Sequence, residues 1–340
     1  MDRPCSPLAQ LMLLLLGLLI AHAACAAWEQ QAADIMGTRV RVEVWHPDAA
    51  RRERALTEVL DEMRRIDETY SPYKQTSELS RLNREAPTGW VPVRLELMKL
   101  LAQSARVSKL TAGAFDVTYA SAGRYYDYRE ASAPNDATLR AAVAAIDYRH
   151  VELDWEARRV RYRHPATYVD LGGIAKGYAV DRAIAILERL GIEQGAVSAG
   201  GDSRIIGDRR GEPWVVGVRH PRRDGEYAVR LPLADTAVST SGDYERFFER
   251  DGVRYHHILD PMTGRSATGS LSVTILGNEA MLTDALSTSV FVLGATKGIE
   301  LINRLPGIDA IIIDPKGKLH YSDGLLDPSG RAAANDVPAE

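Results

Sequence analysis

The stretch Tyr168-Val-Asp-Leu-Gly-Gly-Ile-Ala-Lys-Gly-Tyr-Ala-Val-Asp181 predicts a short buried strand that passes through a glycine turn into a helix. Its three glycines allow the backbone to approach a ligand closely. The helix that follows has one apolar face, and Gly191 is its expected C-cap. Free amides at the helix start, together with Lys176, can bind an anion such as phosphate. The alternative is a purely structural turn with a solvated lysine, and the spacing fits neither GxGxxG nor GxxxxGK[ST].

Composition places the chain among ordinary globular proteins. It has 340 residues, of which 45% are hydrophobic and 26% charged, with a net charge of -4. This length and composition support a sizeable core. No basic surplus or interleaved aromatic pattern indicates nucleic acid as a partner.

The N-terminus predicts export. Arg3 precedes the apolar run Leu11–Ala21, and small residues follow it, so we interpret residues 1–27 as a secretory signal peptide. Two processing routes remain open: cleavage after Ala23, or lipoprotein processing that anchors the chain through a lipid on Cys25. Both cysteines fall within the leader, so no disulfide is expected in the mature body. We expect a periplasmic protein, anchored to the inner membrane on the lipoprotein route.

The remaining chain predicts an α+β fold in one domain over residues 28–328, with a disordered tail over 329–340. Strict alternation over Met36–Val44 is typical of a half-buried strand, and Asp48 can cap the long amphipathic helix that follows. Later strands and helices do not alternate simply, which argues against a doubly wound parallel sheet. We expect helices near 94–109, 137–146, 279–293 and 297–305, and strands near 195–199, 214–219, 227–231, 237–240, 253–259, 271–276 and 310–314.

Two oxygen donors stand out in an apolar helix. Asp284 and Thr288 are four residues apart and therefore share a face. A hard cation such as Mg²⁺ would satisfy both, because it prefers oxygen ligands together with substrate phosphates. The alternative is an exposed Asp284 and a hydroxyl bonded back to its own helix.

Tyr255-His-His-Ile-Leu-Asp-Pro-Met-Thr-Gly264 ends a strand with two histidines on opposite faces. One of them should point inward, either as a proton carrier or as a core histidine with a satisfied hydrogen bond. Tyr73, the aromatic in a polar turn, presents a similar choice, because its ring can stack on a ligand or merely cover a loop.

Taken together, these pieces resemble the ApbE family of FAD:protein FMN transferases. The matching segments run in order along nearly the whole mature chain: Met36–Thr38, Ser71–Lys74, Ser77–Asn83, Gly113–Asp116, Asp170–Asp181, Ser198–Asp202, Thr240–Asp243, His257–Pro261, Thr263–Gly264, Asp284–Ala285 and Thr288.

The resemblance implies a T-fold-like architecture of mixed or antiparallel sheets with packed helices. It implies FAD as the donor substrate and Mg²⁺-dependent transfer of FMN, through a phosphoester, to a Thr or Ser hydroxyl of a partner flavoprotein, with release of AMP. The implied acceptors are flavoproteins of membrane respiratory complexes. The residues implied to contact FAD are Met36, Tyr73, Ala114, Phe115, Asp116, Asp170, Lys176 and Ile258.

For the metal, the resemblance implies the Gly173 carbonyl, Asp284 and Thr288 as ligands. Our hypothesis for catalysis is that His257 assists deprotonation of the acceptor hydroxyl while Asp284 holds the metal. Two rival functions remain open: a Mg²⁺-dependent FAD pyrophosphatase that yields FMN and AMP, and a non-catalytic periplasmic flavin carrier. A carrier needs neither the metal pair nor His257, so their joint presence favours catalysis.

Overall fold

An eight-stranded antiparallel sheet forms the frame of this protein, seen here in a computed structural model that describes residues 27–326. The first 26 residues of the predicted leader, Cys25 among them, and the predicted tail over 329–340 lie outside the described residues. The strands are β1 (Ala27–Ile35), β2 (Thr38–His46), β3 (Val91–Pro92), β4 (Val151–Asp154), β5 (Arg159–Tyr162), β6 (Gln194–Ala199), β7 (Asp202–Ile206), β8 (Trp214–Arg219), β9 (Tyr227–Leu233), β10 (Ala237–Gly242), β11 (Phe247–Arg250), β12 (Val253–His256), β13 (Ser272–Gly277), β14 (Asp309–Ile313) and β15 (Leu319–Tyr321).

The main sheet has the strand order β1-β2-β6-β7-β10-β13-β14-β15, and every neighbouring pair in it is antiparallel. Smaller sheets pair β3-β5-β4, β8-β9 and β11-β12. The predicted α+β class is therefore correct, and the sheets are antiparallel throughout the described residues.

Three long helices lie side by side across the main sheet. They are α1 (Ala49–Tyr70), which packs on β1 and β2, α6 (Ala175–Arg189), which packs on β6 and β7, and α7 (Ala280–Ile302), which packs on β10, β13 and β14. The other helices are α2 (Glu78–Glu85), α3 (Leu95–Leu110), α4 (Ala120–Gly123) and α5 (Asp136–Val143).

The strand predicted over Met36–Val44 and the helix after it are present as β2 and α1, and β1, which the sequence did not predict, pairs with β2 in a hairpin. Val40, Val42 and Val44 on β2 are completely buried, because alternate side chains of the strand face α1. Met36 and Gly37 both have positive φ, 56° and 68°, which suits the tight turn from β1 into β2. Asp48 caps α1 by accepting hydrogen bonds from the amides of the first turn.

The segment Tyr168–Leu171 is not a strand, contrary to the prediction. Its backbone is extended and buried, but its hydrogen-bond partners come from outside any sheet. The amide of Asn83 donates to Val169 O and accepts from Val169 N, each at 2.8 Å, and Asp170 N donates to Val117 O at 2.9 Å. The side-chain amide of Asn83 thus supplies the backbone hydrogen bonds that a neighbouring strand would otherwise provide. The segment can therefore be buried without belonging to a sheet.

Several predicted boundaries also shift. The two helices expected near 279–293 and 297–305 are both present within α7, where Gly294 (φ 76°, ψ 176°) leaves the helical conformation and separates them by a kink, and the second one ends at Ile302. The helix α5 stops at Val143, and the strand expected over 253–259 stops at His256. Among the described helices, α7 is long and apolar enough to cross a membrane, but 56% of its most apolar stretch is buried within the protein. It therefore serves here as a core helix.

The crossing of α6 and α7 is the tightest helix contact near the candidate site. A Cβ added at Gly177 would lie 2.1 Å from the carbonyl oxygen of Ala280 and 2.8 Å from the Cβ of Asp284. Both distances are far below van der Waals contact. Only glycine allows the two helix backbones to approach this closely.

We predict that Gly177→Ala destabilises the protein by about 1–3 kcal/mol, because the added methyl group must push the two helices apart. Helix propensity alone would make the variant more stable, since alanine is favoured over glycine in a helix by about 1 kcal/mol. Urea unfolding measures the difference. The matched control is Gly89→Ala, whose Cβ would meet no atom within 4 Å. A Gly177→Ala variant as stable as this control would contradict the packing account.

Candidate active site

The turn before α6 and the start of α7 meet at one point. Gly177 N donates to the Oδ2 atom of Asp284 at 3.0 Å. The carboxylate of Asp181, on α6, accepts from Ala280 N at 2.9 Å and from Met281 N at 2.8 Å, and so caps α7 from a neighbouring helix. Asp284 is therefore held in place from both helices.

Lys176 joins two buried carboxylates. Its ammonium group lies 2.7 Å from Asp202 and 3.3 Å from Asp284, and it also donates to Gly172 O at 3.2 Å. Burial opposes the charge on Lys176, but the two carboxylates outweigh it and raise the lysine pKa. Burial, together with the nearby Asp202, raises the pKa of Asp284.

These contacts change the role expected for Lys176. A lysine ammonium has three N–H donors, and here its neighbours are one carbonyl and two carboxylates. The group therefore neutralises protein charge rather than standing free at the helix start. Its predicted contact with FAD stays a prediction.

Hydroxyl groups line the adjoining side of the site. Ser241 Oγ lies 2.8 Å from Ser287 Oγ and 3.4 Å from Thr288 Oγ1. Thr288 is half-buried, and its Oγ1 lies 3.5 Å from the point where a Cβ on Gly173 would stand. The structure thus brings together the three predicted metal ligands Gly173, Asp284 and Thr288.

The donor set fits a hard cation. Asp202 and Asp284 share the single positive charge of Lys176, and burial together with Asp202 raises the pKa of Asp284, so a cation bound here would favour the ionised form of Asp284. Carboxylate, hydroxyl and carbonyl oxygens are the ligands that Mg²⁺ prefers. Within residues 27–326 no group of three or more His, Cys, Asp or Glu side chains forms a metal site. The predicted set contains only one carboxylate, and water and substrate phosphates commonly complete Mg²⁺ coordination.

Three further predicted flavin contacts differ in their exposure. Tyr73 is 81% exposed, and the negative charge of Asp170 is the main cause that raises its pKa. Asp170 itself is buried, and burial raises its pKa. Met36 is half-buried in the turn between β1 and β2, whose neighbour Gly37 is in contact with Arg246.

The predicted contacts at 114–116 occupy the turn after α3. Ala114 is half-buried, and the Phe115 ring packs against the Gly173 backbone, with its Cε2 atom 3.2 Å from where a Cβ would stand. Asp116 is buried and already accepts from Thr118 N, Thr118 Oγ1 and Tyr148 N. Asp116 therefore orders the loops behind Phe115, whatever contact it makes with FAD.

The two adjacent histidines have different environments. The ring of His256 is in the core, where its Nε2 donates to Ala267 O at 2.8 Å and its Nδ1 accepts from Ile258 N at 3.3 Å. The side chain of Ile258 is buried in the same region. The Nδ1 atom of His257 is buried without a hydrogen-bond partner among residues 27–326. Burial and then the charge of Arg246 lower the His257 pKa to about 3, so its imidazole is neutral at physiological pH.

Sequence patterns did not assign roles to two residues of this site, Asp202 and Ser241. Asp202 is 2% exposed and makes the shortest contact to Lys176. The available signal was its position directly after Gly200-Gly201, the second glycine pair of the sequence. Ser241 gave no signal, because its place beside Thr288 depends on the pairing of distant strands.

Comparison with known proteins identifies the family of this chain. The family model described as "ApbE family" matches residues 36–312. The FAD:protein FMN transferase of Treponema pallidum is 33% identical over 312 residues, which cover 86% of this chain and 86% of the relative. The FAD:protein FMN transferase of Vibrio cholerae is 32% identical over 300 residues, which cover 85% of this chain and 89% of the relative.

Solved structures extend the agreement to the fold. The crystal structure of the ApbE protein of Thermotoga maritima matches with a TM-score of 0.81 and 36% identity, and covers 88% of this chain and 98% of that one. The flavin transferase ApbE from Vibrio cholerae matches with a TM-score of 0.78 and 29% identity, over the same shares of the two chains. The predicted α+β architecture and the predicted resemblance are both confirmed. The chain therefore belongs to the ApbE family, together with the FAD:protein FMN transferases that it matches.

Proposed function

We propose that this protein is a Mg²⁺-dependent FAD:protein FMN transferase, which attaches FMN through a phosphoester to a Thr or Ser hydroxyl of an acceptor flavoprotein. The observation that carries the proposal is the meeting of Asp284, Thr288 and the Gly173 turn, with the half-buried Lys176 bonded to Asp284. This set supplies the charge neutralisation that cleavage of a diphosphate needs, with His257 as the proposed proton acceptor. The names of the curated relatives support flavin transfer in general.

The transfer is a nucleophilic substitution at phosphorus. The acceptor hydroxyl oxygen forms a bond to the phosphorus on the FMN side of FAD. The bond from that phosphorus to the bridging oxygen breaks, and AMP leaves with the bridging oxygen. The hydroxyl proton passes to the free Nδ1 of His257, which is neutral and buried beside the site.

Residues of this chain hold the metal and arrange its surroundings. Asp284, Thr288 and the Gly173 carbonyl would hold Mg²⁺, whose chemistry there is to offset the negative charge of the diphosphate. Lys176 keeps Asp202 and Asp284 together. Asp181 fixes the start of α7, so the Asp284 carboxylate is positioned before any ligand binds.

The direct test incubates the full chain with FAD, Mg²⁺ and a candidate acceptor, followed by mass spectrometry of the acceptor. The candidates are flavoproteins of membrane respiratory complexes that carry a Thr or Ser acceptor site. A mass gain of one FMN less water supports the transferase. Free FMN and AMP with an unmodified acceptor would identify a pyrophosphatase instead, and intact FAD would leave only a flavin carrier.

The leader sequence supports a further proposal about location. We propose that the protein is exported to the periplasm and processed at its N-terminus, with Cys25 lipidated if the lipoprotein route is used. Cell fractionation and the mass of the mature N-terminus test this. An N-terminus that retains Leu11–Ala21 in the cytoplasmic fraction would contradict export.

Asp284→Asn should weaken Mg²⁺ binding in the presence of FAD by about 10- to 100-fold or more, because a neutral amide replaces the anionic ligand. The asparagine oxygen can still accept from Gly177 N, so the helix crossing is preserved. Titration calorimetry measures the affinity. The control is Asp34→Asn, which removes an exposed carboxylate on β1. Normal Mg²⁺ affinity in Asp284→Asn would remove Asp284 from the ligand set.

His257→Ala should reduce the rate of transfer by about 10²- to 10⁴-fold, the usual contribution of a positioned general base. FAD affinity should change little, because the imidazole is assigned to the proton and not to the flavin. Added imidazole should restore part of the rate in this variant and have no effect on the unmodified enzyme. An unchanged transfer rate would exclude His257 from the mechanism.

A further inference from the structure

Arg246 connects two segments that carry predicted site residues, the turn at Met36–Gly37 and His257. It is exposed, and its Nη2 atom donates to Gly37 O at 3.3 Å, next to Met36. Its own carbonyl accepts from His257 N at 3.1 Å. The residue is thus fixed at its backbone by the histidine and at its guanidinium by the first turn.

Most of the guanidinium is unused. Arginine has five N–H donors, and the hydrogen bond to Gly37 O uses one of them. Within residues 27–326, Arg246 forms no salt bridge, whereas the nearby Arg222 and Arg254 both pair with Asp243. A cation without a carboxylate partner, beside a site for a charged substrate, is available to an anion.

The positive charge of Arg246 shifts the pKa values of four other residues. It favours the ionised forms of Asp170, Tyr73 and Tyr119, and it opposes protonation of His257. These four groups belong to different parts of the chain, and the same positive charge acts on all of them. The guanidinium itself is located by its hydrogen bond to Gly37 O, beside the predicted flavin contact Met36.

Lys176 cannot fill the same role. Its three donors are directed at Gly172 O, Asp202 and Asp284, so none remains for a phosphate oxygen. A substrate diphosphate would bring additional negative charge to this site. Binding the diphosphate would therefore call for a positively charged side chain in addition to the metal.

We propose that the guanidinium of Arg246 binds the diphosphate of FAD and so distinguishes FAD from flavins that lack phosphate. This inference rests on the proposed function, because it concerns the substrate of the same site. Arginine suits the task, since its planar fork can donate two parallel hydrogen bonds to phosphate oxygens. The turn at Gly37 and the backbone of His257 hold it in place before the substrate arrives.

The experiment compares the affinities of FAD and riboflavin, measured by quenching of flavin fluorescence in the presence of Mg²⁺. In Arg246→Met the FAD dissociation constant should rise by about 10- to 100-fold, the range expected for hydrogen bonds to a charged group. Riboflavin affinity should stay unchanged. Arg246→Lys should recover part of the FAD affinity, because it restores the charge without the fork.

The matched control is Arg250→Met on the same hairpin. Arg250 is exposed and lies over the rings of Phe248 and Tyr255, away from any salt bridge among the described residues. This variant should bind FAD like the unmodified protein. Thermal melting of all variants verifies that they are folded.

The outcomes separate this inference from the proposed function. If the unmodified protein does not bind FAD, the proposed function itself fails. If the unmodified protein binds FAD and Arg246→Met binds it equally well, only the role of Arg246 is overturned. An equal loss of FAD and riboflavin affinity would also overturn it, because the phosphates would not be what Arg246 recognises.

Discussion

The close crossing of α6 and α7 is the constraint on which the candidate site depends. Because residue 177 is glycine, no side chain separates the two helices at this crossing, and the Gly177 amide donates a hydrogen bond directly to the Asp284 carboxylate. Asp181 then caps α7 from the side of α6. The Gly177 amide therefore holds the Asp284 carboxylate directly, Asp181 fixes the start of the helix that carries it, and the adjoining turn brings Gly173 to Thr288 one helical turn further along.

The electrostatics of the site follow from this geometry. Two buried carboxylates share one lysine, and burial together with Asp202 raises the pKa of Asp284. Burial, and then the charge of Arg246, lower the pKa of His257 and keep its imidazole neutral. With a metal bound as proposed, the cation, the guanidinium and the neutral base would suit a diphosphate and an incoming hydroxyl.

Sequence patterns predicted the local elements well where one physical rule decided them. The alternation in β2, the Asp48 cap of α1 and Gly191 after α6, with φ of 71°, all follow from residue type and spacing. The segment Tyr168–Leu171 was wrongly predicted as a strand, because its apolar pattern could not reveal that Asn83 would supply the backbone partners. The roles of Asp202, Ser241 and Arg246 were also beyond sequence patterns, since each depends on which distant strands become neighbours in the sheet.

The account makes one central claim, that the Gly173 turn, the donors on α7 and His257 surround a single metal-bound diphosphate. A crystal structure with FAD and Mn²⁺ in place of Mg²⁺ tests it most directly, because the anomalous signal locates the metal. The account predicts an anomalous peak at about 2.0–2.3 Å from oxygen atoms of Asp284, Thr288 and the diphosphate, with the His257 ring facing the phosphorus on the FMN side. A metal bound elsewhere, or a diphosphate remote from α7, would contradict it.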